Sequence, residues 1–475
     1  MFDPAIAPSG TLLGLLQRGR GDGTLHALAA PRAEALAALD HCVLHDPRHD
    51  WQVENRSLYY ARLYLDLDGA LDEIEAHLFA ACDAVDCDEN RTGLALSVLG
   101  HLASYGRYDA LLLLRRYAAT GANWDWALDE LALRDEDAGL RALAPAVLSR
   151  FPNSPQGEAE LARAIRDAFE PRPWRLWSED PLRPELAARI KTAQERGSFD
   201  RWQRQMDSTG PRPGWSVSAV FQWAEEGLER GDPLHVPAAR CLAAVAGPQD
   251  RGLILQTARQ GGDAARATAL HYLSRAQPLD PAALDLIELA VDGGSALLAE
   301  AAIAAFERTC GETALQRARR WAHRPDALGA AAAGVLASRG TRDDGPLVLG
   351  ALREALRAQG PDAMTLWTLV DGAGRLSLAC AAPVLRHIYR ETSSSQLRGR
   401  AAQALAATDP AFAAGFAVEC LWDCEETTRE VAARFAETGD ARVVDRLRRL
   451  AADPAEEAEV QDAVRTRIGP ESAGI

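Results

Sequence analysis

Residues 425–468 read EETTREVAARFAETGDARVVDRLRRLAADPAEEAEVQDAVRTRI, and their punctuation decides the fold class. Glu426 to Glu437 reads as one helix, Thr438-Gly439-Asp440 as a turn, and Ala441 to Ala451 as a second helix. Asp453-Pro454 then stops that helix and starts another, because proline lacks an N–H and fits only a first helical turn. A lone pair of such helices cannot bury its apolar stripe, so the pattern predicts a stack of pairs that support one another.

Working backwards, a small polar or acidic residue opens each Ala-rich apolar segment: Asp232, Asp263, Ser295, Asp326, Asp362, Ser395 and Glu426. The intervals are 31, 32, 31, 36, 33 and 31 residues. Asp and Ser suit such positions because a side-chain oxygen accepts the free N–H groups of a first turn. The segments that follow include DAARATALHYLSRA, SALLAEAAIAAFERTC and DALGAAAAGVLASRG, whose recurrent alanines allow close helix approach. Fixed spacing at this length marks a repeat architecture, here an all-α solenoid of stacked antiparallel helix pairs.

The 425–468 stretch resembles the short HEAT-like repeats of the phycobilisome-lyase type, with Arg429, Ala432, Ala433, Gly439, Asp440, Leu447 and Leu450 at the matching positions. The likeness is looser over 232–410 and poor before 230. It implies an α-solenoid scaffold and carries neither catalytic residues nor lyase activity.

The N-terminal half offers amphipathic segments at 32–46, 50–66, 69–82, 92–105, 107–120, 136–150 and 156–169, without a clean register. Residues 171–215 differ, with Pro171, Pro173, Pro181, Pro184, Pro211 and Pro213 interleaved with Trp174, Trp177, Trp202 and Trp215. That proline density predicts an irregular connection. The expected organisation is an irregular helical half over 1–170, a Pro/Trp/Arg-rich junction over 171–230, and a HEAT-like array over 231–475.

Composition supports this reading. Aromatic residues are 6% of the 475, and Lys191 is the only lysine. The Ala- and Leu-rich content favours helix. A net charge of −16 opposes a phosphate-gripping role and fits a basic partner. With neither a signal-peptide core nor a run of 18 apolar residues, the expectation is a cytoplasmic protein. The eight cysteines are scattered, as in a reduced chain.

Several motifs invite chemistry. His41 and His45 stand four apart, on one face of a helix, with Asp46, His49 or Cys42 as further ligands to a metal; solvent-exposed histidines are the plainer reading. Cys82/Cys87 and Cys420/Cys424 are close pairs without a second pair to complete a zinc site, so no metal and no cofactor is expected. The segment from Asp50 to Tyr60 is polar and aromatic, and Trp51, Gln52, Arg56, Tyr59 and Tyr60 read either as a binding stripe or as an ordinary solvated face. Residues 123–130, NWDWALDE, resemble the Trp-Asp neighbourhood of HEAT-like alkylpurine DNA glycosylases; the likeness implies Trp124 or Trp126 as the aromatic and Asp129 or Asp125 as the acid. The spacing is one residue longer than in that family, and the surroundings are acidic. Residues 64–90 form a candidate negative strip, with nine acidic residues and no Lys or Arg.

No phosphate-cradling glycine loop or G-x-S-x-G elbow commits the chain to a reaction, so no catalytic residue is assigned. The expected function is a non-catalytic protein- or peptide-binding scaffold, with a contact face of Trp51, Gln52, Arg56, Tyr59, Tyr60, Trp124, Trp126 and Asp129. A nucleic-acid-acting enzyme of the glycosylase type is the competing expectation.

Overall fold

The computed structural model describes residues 6–48, 53–84, 88–206, 214–275 and 279–469, with the side chains of 197–206 outside that description. Among the described residues it is all-helical, with 28 α-helices, four short 3-10 turns and no strand. No helix among them is long and apolar enough to cross a membrane.

The chain divides into two compact units. One comprises residues 209–388 and 403–409. There, every second helix forms a continuous row, His235–Val245, Asp263–Leu273, Ala296–Glu307, Ala327–Arg339 and Thr365–Arg375, each packed on the next. Small residues set the spacing: a Cβ at Gly372 would lie 2.4 Å from that of Ala337, and one at Gly374 2.9 Å from the Ala404 Cα. The helix openers hold to within a few residues. Ser295 accepts from the Leu298 N–H and Asp326 from the Gly329 N–H, while Asp263 is the first helical residue. Asp232 and Asp362 fall three residues ahead of helices that begin at His235 and Thr365.

The other unit joins residues 1–208 to 389–402 and 410–475. This differs from the organisation expected above in two respects. Residues 171–206 group with this unit and not as a separate junction: Trp174 and Trp177 are buried, and the Trp177 indole N–H donates to the Leu140 carbonyl at 2.8 Å. The last helices group with the first ones instead of completing a C-terminal array, held by contacts that sequence spacing does not reveal.

In the N-terminal part, helices Arg32–Leu44, Arg56–Asp66, Glu89–Ser104, Tyr108–Thr120, Asp137–Leu148 and Pro155–Asp167 fall on the segments read from periodicity. The expected helix over 50–66 begins only at Arg56, and the one over 69–82 shortens to Asp72–Leu78 plus a 3-10 turn. Helices Leu12–Gln17, Gly21–Ala29 and Trp124–Arg134 were not foreseen. Gly21 and Gly23 are close-contact positions within the second of these. A Cβ on Gly21 would stand 1.8 Å from the Glu419 carbonyl oxygen, and one on Gly23 2.8 Å from the Tyr59 hydroxyl.

Candidate ligand-binding pocket

The last part of this unit is held together, and joined to the first part, by buried polar and charged groups. Arg398 and Asp423 are fully buried and bonded twice, at 2.7 and 3.0 Å. Arg429 grips Glu456 at 2.6 and 3.0 Å and donates to the Asp423 and Cys424 carbonyls. Arg62 reaches Asp453 at 2.7 Å and Glu456 at 3.1 Å. Glu54 accepts the Ser395 N–H at 2.6 Å, and the Cys424 N–H donates to the Gly19 carbonyl at 2.9 Å. Each ion is matched, as burial of charge requires.

Arg56, Tyr59 and Tyr60 belong to this interior, not to a contact face. Arg56 has no exposed surface and pairs with Asp46 and Glu54. Burial depresses its pKa. Tyr59 and Tyr60 are buried and donate to the Arg20 and Leu16 carbonyls at 2.8 and 3.0 Å. Their helix is covered nearly all round, so its polar residues satisfy the core. Trp51 and Gln52 lie outside the described residues.

Trp124 is half-buried, its ring edge-on to Phe151 and Trp174 at 5.8 and 6.3 Å and capped by the Arg150 guanidinium at 5.6 Å. Trp126 and Asp129 line an open pocket. It has a volume of about 630 Å³ and is walled by Val53, Glu54, Asn55, Ser57, Glu89, Ser97, Asp125, Trp126, Asp129, Asp167 and Phe169.

The helix Trp124–Arg134 builds the pocket floor because Ala127, Leu128 and Leu131 turn inward and leave Asp125, Trp126 and Asp129 on the opposite side. The mouth is partly apolar, with Phe169 81% and Val53 66% exposed. Five lining residues are carboxylates and none is Lys or Arg. Two of the five are already held: Glu54 by the buried network, and Asp167 by Arg166 at 2.7 Å. The other three have no cation at ion-pair distance among the described residues. Asp129 accepts only the Glu170 N–H at 3.1 Å and Asp125 the Trp126 N–H at 3.1 Å. Burial, joined by the nearby negative charges of Asp125, Glu170 and Glu130, pushes the Asp129 carboxyl up to about 6. Phe169 and Val53 were not singled out in the sequence, since isolated apolar residues in loops carry no periodic signal.

The remaining motifs are placed as follows. His41 and His45 are exposed, their rings 5.3 Å apart, and His77 lies 6.0 Å from His45. Among the described residues no group of three His, Cys, Asp or Glu is arranged to hold a metal ion. Cys420 and Cys424 are buried thiols, beside the Tyr389 hydroxyl and the Arg398 guanidinium. Cys87 lies outside the described residues. Within the acidic strip, Asp83 is internal, bonded to Tyr117 and Arg91.

No family model, curated protein or solved structure matches the chain.

Proposed function

We propose that the chain is a HEAT-like helical scaffold that binds a protein or peptide partner, with the Trp126/Asp129 pocket as the contact site. The observation that carries this reading is the pocket lining: exposed apolar walls beside three carboxylates with no cation at ion-pair distance among the described residues. Such a cleft suits the anchoring of a side chain from a basic partner, in which apolar contact gives affinity and charge complementarity gives orientation and rate. The row of small-residue helix contacts in residues 209–388, at an opener spacing of 31–36 residues, supports the solenoid part of the proposal. The glycosylase-type alternative loses support at the same site, because a carboxylate lining repels the phosphates that a nucleic acid would bring.

Selection of a random dodecapeptide display library on the full chain tests the reading. The expected result is a set of enriched peptides whose binding falls at least tenfold in Trp126→Ala, with helicity by circular dichroism unchanged. Absence of enrichment, or binding indifferent to that substitution, would overturn it.

A further inference from the structure

The chain handles its own arginines in a recurrent way. Guanidinium groups sit over aromatic rings at Arg20/Tyr389, Arg116/Phe79, Arg150/Trp124, Arg317/Trp321, Arg390/Phe416 and Arg446/Trp422, at 3.6 to 5.6 Å from the ring centres. In three of these a carboxylate holds the same guanidinium: Asp22 for Arg20 at 2.8 Å, Glu75 for Arg116 at 2.5 Å and Asp285 for Arg317 at 2.7 Å. A planar cation between a ring face and a carboxylate is thus a unit this chain builds repeatedly. The physical reason is general: guanidinium is weakly hydrated, stacks on aromatic faces and donates through a flat fork of N–H groups.

The pocket holds the same unit with its arginine missing. Phe169 is exposed to solvent, with no guanidinium over it among the described residues, and it shares the pocket with Asp125, Asp129 and Glu89. Those three carboxylates meet only backbone N–H groups or solvent among the described residues. Asn55, Ser57 and Ser97 add neutral polar groups to the same wall. A volume of about 630 Å³ is ample for one long side chain and its flanking backbone.

We propose that this pocket takes an arginine side chain from the partner, its guanidinium stacked on Phe169 and its N–H groups donated to Asp125 and Asp129. The inference rests on the scaffold reading above and names its ligand. It selects arginine over lysine, because a compact, strongly hydrated ammonium gains less from a ring face and makes no forked pair with carboxylates.

The test uses the full chain and two small probes, Nα-acetyl-arginine amide and Nα-acetyl-lysine amide, titrated with saturation-transfer NMR as the readout. The expected result is saturation of the arginine side-chain methylenes with a Kd at least fivefold below that for lysine. Phe169→Ala and Asp129→Asn should each weaken it at least fivefold. Phe169 is exposed, so its replacement leaves the fold intact, and circular dichroism verifies both variants. Equal affinity for the two probes, no binding of either, or binding unchanged in both variants would overturn the arginine assignment. Library peptides that bind through Trp126 but carry no arginine would overturn this inference while leaving the scaffold reading in place; failure of the library selection as well would remove both.

Discussion

At the scale of single residues, the deciding feature is how each buried charge is answered. Glu419 lies beside Arg20 at 3.2 Å, yet burial and its hydrogen bond to Asp22 outweigh that cation and push its carboxyl up to about 8. A carboxyl whose pKa is raised on folding favours the folded state while protonated in both states. That contribution is lost as pH climbs from the unfolded value near 4.5 through about 8. Glu419→Gln removes this penalty. The variant should match the parent in denaturant stability at pH 4 and exceed it at pH 9 by on the order of 1–3 kcal/mol. Equal stability at pH 9 would show that Glu419 is ionised without cost.

Residue types in the sequence did not separate Tyr59 and Tyr60 from Trp126 as surface candidates. All sit in polar-aromatic stretches, and only tertiary packing buries the tyrosines under Leu16 and Arg20. Asp129 was named through the resemblance carried by its neighbouring tryptophans, and it lies in the pocket lining. Phe169 was not, since its meaning comes from carboxylates on another helix.

At the scale of elements, punctuation carried most of the information. Ser295 and Asp326 cap helices at positions named from spacing alone, Asp440 of the expected turn caps the next helix, and Ser154 caps the helix that Pro155 begins. The segments that escaped were short or glycine-bearing, such as Gly21–Ala29, where a missing side chain serves a tight approach to Glu419. The Glu426–Phe435 helix, central to the repeat reading, buries Val431, Ala432 and Ala433, and its Arg429 reaches Glu456 and two carbonyls. Arg429→Met should cost about 3 kcal/mol by chemical denaturation, because it leaves two buried carbonyls without their donor and the Glu456 carboxylate with Arg62 alone. Adding Glu456→Met should restore part of that loss, as the half-answered carboxylate is then gone and Arg62 keeps Asp453. A single variant as stable as the parent would mean that solvent reaches Glu456.

At the scale of the molecule, the repeat pattern reads as a linear array, whereas one compact unit combines the first 208 residues with the last helices. The cause is chemical: Arg62, Glu54 and Gly19 find partners in Asp453, Ser395 and Cys424, several hundred residues away. Helical periodicity constrains which face of a helix is apolar but not which distant helix covers it, so helical class was legible and this grouping was not. The same unit carries the pocket, whose walls come from separate helices and the loops between them.

Hydrogen exchange on the full chain, with and without a selected arginine-bearing peptide, tests the central claim most directly. The account predicts slowed exchange confined to amides of 53–57, 89–97, 125–129 and 167–170, diminishing below pH 6 as Asp129 takes up its proton. Slowed exchange elsewhere with these segments unchanged would contradict it and place the partner on another face.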